Sequence, residues 1–145
     1  MDRPKRRLSG ALAALVGAGM ASLAAAQPVE HEVRGSGVLT TARGPVAVTG
    51  VTYVSRDEPR RNSFSVTTAM GTVTFSGGEA AWRDATHAQA PIDSVLRLTR
   101  EGFSDDPASG ACDFEISADA TYLKTVACRA TTGGGDYALR FEAAG

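Results

Sequence analysis

From residue 29 onward, apolar side chains recur at every second position in short runs. Tyr137, Leu139 and Phe141 share one phase, while Ala138, Arg140 and Glu142 occupy the other. Phe64, Val66 and Thr68, Val73 and Phe75, Leu96 and Leu98, and Phe114 and Ile116 repeat this alternation. A period of two belongs to strands with one dry face and one wet face. No stretch after residue 26 sustains the period of an amphipathic helix. Gly, Asp, Asn and Pro break the runs about every ten residues, as in antiparallel all-β domains. The pattern predicts strands over 29–34, 37–41, 46–54, 63–69, 72–76, 80–84, 94–100, 112–117, 122–130 and 137–142. The expected fold is an antiparallel β-sandwich or a small β-barrel of about eight to ten strands.

Two features qualify this reading. Val46 and Val48 lie in one phase and Val51 and Tyr53 in the other, so a bulge is expected near Gly50. Residues 39–50 and 66–77 also resemble each other at an offset of 27, each reading strand, Gly-containing turn, strand, Gly. That likeness fits either hairpins in general or a duplicated hairpin within a β-meander. Gly44 and Gly71 supply the positive φ of a tight turn. Gly35-Ser36-Gly37 reads as a turn. The stretches 56–62, 85–91, 104–110 and 133–136 read as loops, with a short helical turn conceivable in 85–91.

Cys112 and Cys128 are equidistant from Ala120, inside the turn-like stretch 117–121. A hairpin turning there sets them opposite each other, within reach of a disulfide. Such a bond closes a loop of about 17 residues and contributes about 3 kcal/mol.

The first 26 residues follow a different logic. Arg3, Lys5, Arg6 and Arg7 form a basic head, and an apolar run from Leu8 to Leu23 follows. Ala24 and Ala26 then stand at the small-residue positions before Gln27. This order predicts a cleavable signal peptide over 1–26, a single all-β domain over 27–145, and a periplasmic or extracellular location. The apolar run is shorter than the roughly 20 residues of a membrane-spanning helix. No transmembrane span is therefore expected after cleavage. An even cysteine count suits the oxidising compartment. The leader type and the Ala, Gly and Arg content suggest a bacterial protein. Without the leader, 11 basic and 15 acidic residues remain, a net charge of −4. That balance argues against nucleic acid as a partner.

Candidate chemistry is sparse. The chain carries no Gly-x-Ser-x-Gly elbow, no phosphate-binding glycine loop with lysine, and no helical histidine pair. His31 lies between Glu30 and Glu32 and reads as a solvated strand rather than half a metal site. Asp105-Asp106 reads as turn chemistry rather than a calcium loop. Neither it nor Asp57-Glu58 can be set in one cleft by spacing alone. No cofactor, metal site or catalytic residue is predicted.

Four residues stand out for binding. Arg56, Arg60 and Arg61 form the one basic cluster, with guanidinium groups suited to phosphate or carboxylate. Asp57 and Glu58 beside them offset the field. Trp82, the only tryptophan, reads either as packing at the core or rim, or as an exposed platform for a sugar or protein. The function expected is an exported, non-catalytic binding or interaction module of the cell envelope. Its partner would be an envelope polymer or another exported protein. The alternatives are an inhibitor of a secreted hydrolase, using 56–62 as its loop, and an enzyme whose site is scattered through the fold.

Overall fold

The computed structural model describes residues 29–57 and 60–145; the expected signal peptide lies outside them. The described residues form nine strands: β1 Val29–Thr41, β2 Gly44–Asp57, β3 Arg60–Thr68, β4 Gly71–Gly77, β5 Ala81–Trp82, β6 His87–Thr99, β7 Gly102–Ile116, β8 Leu123–Thr132 and β9 Gly135–Ala143. Every neighbouring pair is antiparallel. β1 to β4 pair in chain order, β4 pairs with β6, and β6 to β9 continue until β9 returns to β1. Eight strands thus close into an up-and-down barrel, and β5 lies outside the ring against the start of β6. Closure removes the free edges that an open sheet would leave.

The alternation in sequence becomes inside and outside, except in β6, where Val95 is buried and Leu98, expected with Leu96 on the dry face, is 57% exposed. Leu39, Val51, Phe64, Val66, Phe75, Val95, Phe114, Val126, Leu139 and Phe141 fill the interior and are buried. Arg, Glu, Thr and Ser take the outward positions. Eight strands leave an interior just wide enough for side chains to fill. An apolar inside with a polar outside is the reverse of a membrane-spanning barrel. No helix among the described residues is long and apolar enough to cross a membrane.

The phase change near Gly50 is present, but the extra residue lies on the partner strand. Arg34 pairs with Gly50 and Gly37 with Val48, so Gly35 and Ser36 together oppose Thr49. The segment expected to turn is therefore a bulge, and the runs 29–34 and 37–41 are one strand. Its glycines fit the crowding: a Cβ on Gly35 would lie 2.1 Å from the Glu142 carbonyl oxygen. A matching bulge sets Ala108 and Ser109 opposite Asp93, between the pairs Ile92–Gly110 and Ser94–Pro107.

Two expected loops are strand. Residues 87–91 open β6, and 104–110 lie within β7. In the first, Ala88 and Ala90 point inward, where small side chains fit beside Phe114. Pro91 falls between the ladder of β6 with β5 and that with β4, where its missing N–H leaves no partner unsatisfied. In the second, Pro107 lies just past the last rung with β8, Ala108–Thr132. The 56–62 segment is likewise no extended loop, because the β2–β3 ladder continues to the pair Asp57–Arg60.

The barrel has two unlike ends. At one end the hairpins β1–β2, β3–β4, β6–β7 and β8–β9 all turn on Thr-x-x-Gly: 41–44, 68–71, 99–102 and 132–135. The likeness seen in two copies thus extends to four turns. Gly44, Gly71, Gly102 and Gly135 have φ between 110° and 136°, which favours glycine. Each threonine Oγ1 accepts the N–H two residues on, at 3.1–3.2 Å. At the other end stand the β2–β3 hairpin, the 78–86 segment with β5, and the 117–122 loop between β7 and β8.

The disulfide joins Cys112 of β7 to Cys128 of β8 as an in-register cross-strand pair with Cα atoms 4.0 Å apart. Both residues are buried in the core. The turn falls where expected: Ala120 has φ 59°, and the Ser117 hydroxyl accepts the N–H groups of Thr121 and Tyr122. The bond accords with an oxidising compartment.

Candidate functional site

The end that carries β5 holds a connected aromatic stack. Tyr53 of β2, Phe64 of β3 and Phe114 of β7 all point inward, with ring centroids 5.0–5.3 Å apart. Trp82 of β5 sets its ring nearly perpendicular to Phe114, with centroids 5.6 Å apart. Trp82 is still 49% exposed. The indole therefore packs at the rim of the core on one side and meets solvent on the other. Its backbone is held by the pairing of Trp82 with Ala88 and by the Arg83 N–H donating to the His87 carbonyl at 2.9 Å.

A recess of about 310 Å³ opens beside this indole. Arg56, Arg60 and Trp82, three of the four residues singled out in the sequence, line it together. Asp57 and Glu79 supply the acids, and Arg60 pairs with Glu79. Among the described residues, two arginines stand against two acids in this lining, with no net formal charge. Tyr53 and Asn62 also line it. The Tyr53 hydroxyl donates to Asn62 Oδ1 at 2.6 Å, and Asn62 Nδ2 donates to the Gly78 carbonyl at 3.0 Å. Burial raises the Tyr53 pKa above the ordinary phenol range, against a smaller opposing effect of Ser55, which keeps the hydroxyl a donor.

Arg61 goes elsewhere. Its neighbour Asn62 points inward, so Arg61 points outward over β4. Its guanidinium takes Asp93 in a two-point grip, 3.0 Å from Oδ2 and 2.7 Å from Oδ1, and donates to Ser76 Oγ at 3.2 Å. This bond to Asp93 raises the arginine's pKa, and it holds the aspartate below the usual carboxylate range. Arg61 therefore ties β3 to β6 at Asp93, opposite the β7 bulge, and does not line the recess.

Tyr53, Asn62 and Glu79 were not picked out from sequence. Asn62 carried a usable signal: it has the inward parity of Phe64 and Val66, and a polar group at a core position requires partners. Glu79 had no signal, because its proximity to Arg60 depends on how 78–86 folds back.

His87 opens β6 rather than lying in a loop, and Asp84 and Glu115 flank it. Asp84 Oδ1 is 3.0 Å from Nδ1, and Glu115 Oε2 is 3.6 Å from Nε2. The arrangement stands on an open groove, with the imidazole 45% exposed. Asp84 is first a turn residue: its carboxylate accepts the N–H groups of Thr86 and His87, both at 2.8 Å. The bond from the Thr86 N–H, then that from the His87 ring, holds its pKa well below the usual range. His31 lies instead with its ring parallel to Tyr53, at a centroid distance of 6.4 Å. Asp105 and Asp106 are consecutive strand residues, so their side chains face opposite sides. No family model, curated protein or solved structure matches this chain.

Proposed function

We propose that this protein is an exported, non-catalytic binding module that holds a neutral, hydroxyl-rich polymer of the bacterial cell envelope in the Trp82 recess. The observation that carries the reading is the half-exposed indole braced on Phe114 beside a recess of balanced charge. A sugar ring has an apolar face of C–H groups and a rim of hydroxyls. The first suits an aromatic surface, and the second suits guanidinium, carboxylate and amide groups. A lining with no net charge favours a neutral ligand over an ionic one. The brace limits the entropy lost when the platform is occupied. Export follows from the leader pattern, with which the disulfide accords.

Because Trp82 is the sole tryptophan, its fluorescence reports on this recess directly. Titration with soluble neutral oligosaccharides, and co-sedimentation with an insoluble neutral polysaccharide, test the reading. A saturable change in emission is expected, with capture abolished in Trp82→Ala and retained in Arg61→Ala. Capture that survives Trp82→Ala at full strength would remove the site. Binding to a hydrolase with no response to glycans would favour the inhibitor reading instead.

A further inference from the structure

The opposite end of the barrel carries a second recess, and unequal hairpins create it. β6 and β7 run 13 and 15 residues, whereas β8 and β9 run 10 and 9. β8 turns away after Thr132, so β7 pairs with β6 alone below Ala108. The β6–β7 hairpin thus stands past its neighbour as a wall, and a recess of about 300 Å³ lies at its foot. That volume is at the lower limit of small-molecule sites, about 300 Å³.

Leu39 and Val73 form an apolar base, with Val46, Tyr137 and the exposed Met70 around it. Tyr137 is fixed by an edge-on contact with Phe75, with centroids 6.3 Å apart. Arg43 and Arg97 bring two guanidinium groups to the lining, and Asp136 brings one carboxylate, for a net formal charge of +1. Arg97 shares the inward phase of Val95 and sits opposite Val73. Its Nε donates to Ser104 Oγ at 3.2 Å, which orients the side chain without neutralising it. Neither arginine forms an ion pair among the described residues.

We propose that this mouth binds a small amphipathic monoanion, an aliphatic carboxylate whose chain covers Leu39 and Val73 and whose head meets Arg43 and Arg97. An apolar base excludes a purely ionic ligand, and the charge excess disfavours a cation. Guanidinium matches the two oxygens of a carboxylate. The same chemistry is available from a free fatty acid or from a lipid in a bilayer, and the site commits to the free molecule because it is a recess rather than a flat face.

The test is a heteronuclear NMR titration of the full exported chain with monomeric octanoate, octanol and octylammonium, beside co-sedimentation with phosphatidylglycerol vesicles. Octanoate is expected to saturate, with shifts confined to the Thr-x-x-Gly turns and the foot of β6. Octanol is expected to bind at least tenfold more weakly, and octylammonium not to bind. Arg43→Gln and Arg97→Gln should each weaken octanoate at least fivefold, and Arg129→Gln on the outer wall should not. Trp82→Ala should leave octanoate affinity unchanged, which separates this site from the glycan recess. Absence of saturation, equal affinity for octanol, or indifference to both arginine substitutions would each overturn the proposal. So would capture by vesicles without a shift from octanoate, which would make the mouth a membrane contact.

Discussion

At one end of the barrel, four hairpins close on the same two-residue turn between Thr and Gly. At the other, the chain uses irregular segments, 78–86 and 117–122, held by side chains. Each ion pair among the described residues has at least one partner in the latter half, including Arg60–Glu79, Arg83–Asp113 and Lys124–Glu115. The turn end is specified locally, by a threonine hydroxyl and a glycine φ. The β5 end is specified by contacts between residues far apart in sequence. The difference bears on recognition. Local turns leave rim side chains such as Met70 exposed to solvent, whereas the cross-linked end braces Trp82 on Phe114, as the two proposed sites require.

This contrast breaks most sharply at Phe114. Its ring touches Tyr53, Phe64 and Trp82, so truncation removes the base on which the indole rests. Phe114→Ala should cost about 3–5 kcal/mol, as for large aromatic truncations in cores. Denaturant unfolding measures the loss, and the native Trp82 emission should shift to the red. The four Thr-x-x-Gly turns should keep their amide shifts in the folded variant. An unshifted emission would mean that the indole is held by β5 alone.

How much of this was legible in the sequence follows the same division. Alternation in the runs around Phe64, Phe75, Phe114 and Phe141 specified strands and their inward faces. It did so because each such residue meets the core whatever its neighbours are. Closure was not legible, since the β4–β6 and β1–β9 pairings depend on the curvature of all eight strands. The first half of β6 was hidden by Ala88, Ala90 and Pro91, whose strand propensity is poor. The Asp105-Asp106-Pro107 run of β7 reads as a turn in isolation and is tolerated because β8 does not pair there. At the candidate site, Arg56, Arg60 and Trp82 stood out by residue type, and the fold brings them together. Arg61 stood out equally and is diverted by Asp93, 32 positions away. The mouth left no trace in any one segment, because its lining comes from four separate hairpins.

The turns give a smaller effect. Gly44 and Gly102 have φ of 110° and 136°, and a Cβ there would meet nothing within 4 Å. Substitution by alanine at either site therefore isolates backbone strain from crowding. Each is expected to cost about 1–2 kcal/mol, the penalty of placing an L-residue in left-handed space. Gly71→Ala should cost more, since its Cβ would also lie 2.2 Å from the Leu98 carbonyl oxygen. Thermal unfolding of the three variants ranks them. Equal losses at all three would show that crowding at Gly71 is relieved at no cost.

The smallest effect belongs to the tie between Arg61 and Asp93, and its sign depends on pH. Hydrogen bonding to Arg61 lowers the Asp93 pKa in the folded protein, against a weaker opposing effect of burial. A carboxyl group so depressed contributes stability above its unfolded pKa of about 3.9 and loses it as pH falls through the lower folded value. The Asp93 side chain is 59% exposed, so solvent screens the pair and its worth at neutral pH is about 0–1 kcal/mol. Asp84 and Asp119 are depressed in the same direction, chiefly by the Thr86 N–H and the Ser117 hydroxyl. The wild-type protein should therefore lose stability progressively below about pH 4. In Asp93→Asn part of that loss should vanish, while stability at pH 7 drops slightly and glycan capture through Trp82 is unchanged. Urea midpoints measured from pH 7 to pH 2 provide the check. An Asp93→Asn curve parallel to the wild type throughout would mean that Arg61 gives Asp93 no preference for its charged form. The bond across β4 would then hold β6 opposite the β7 bulge without contributing to acid stability.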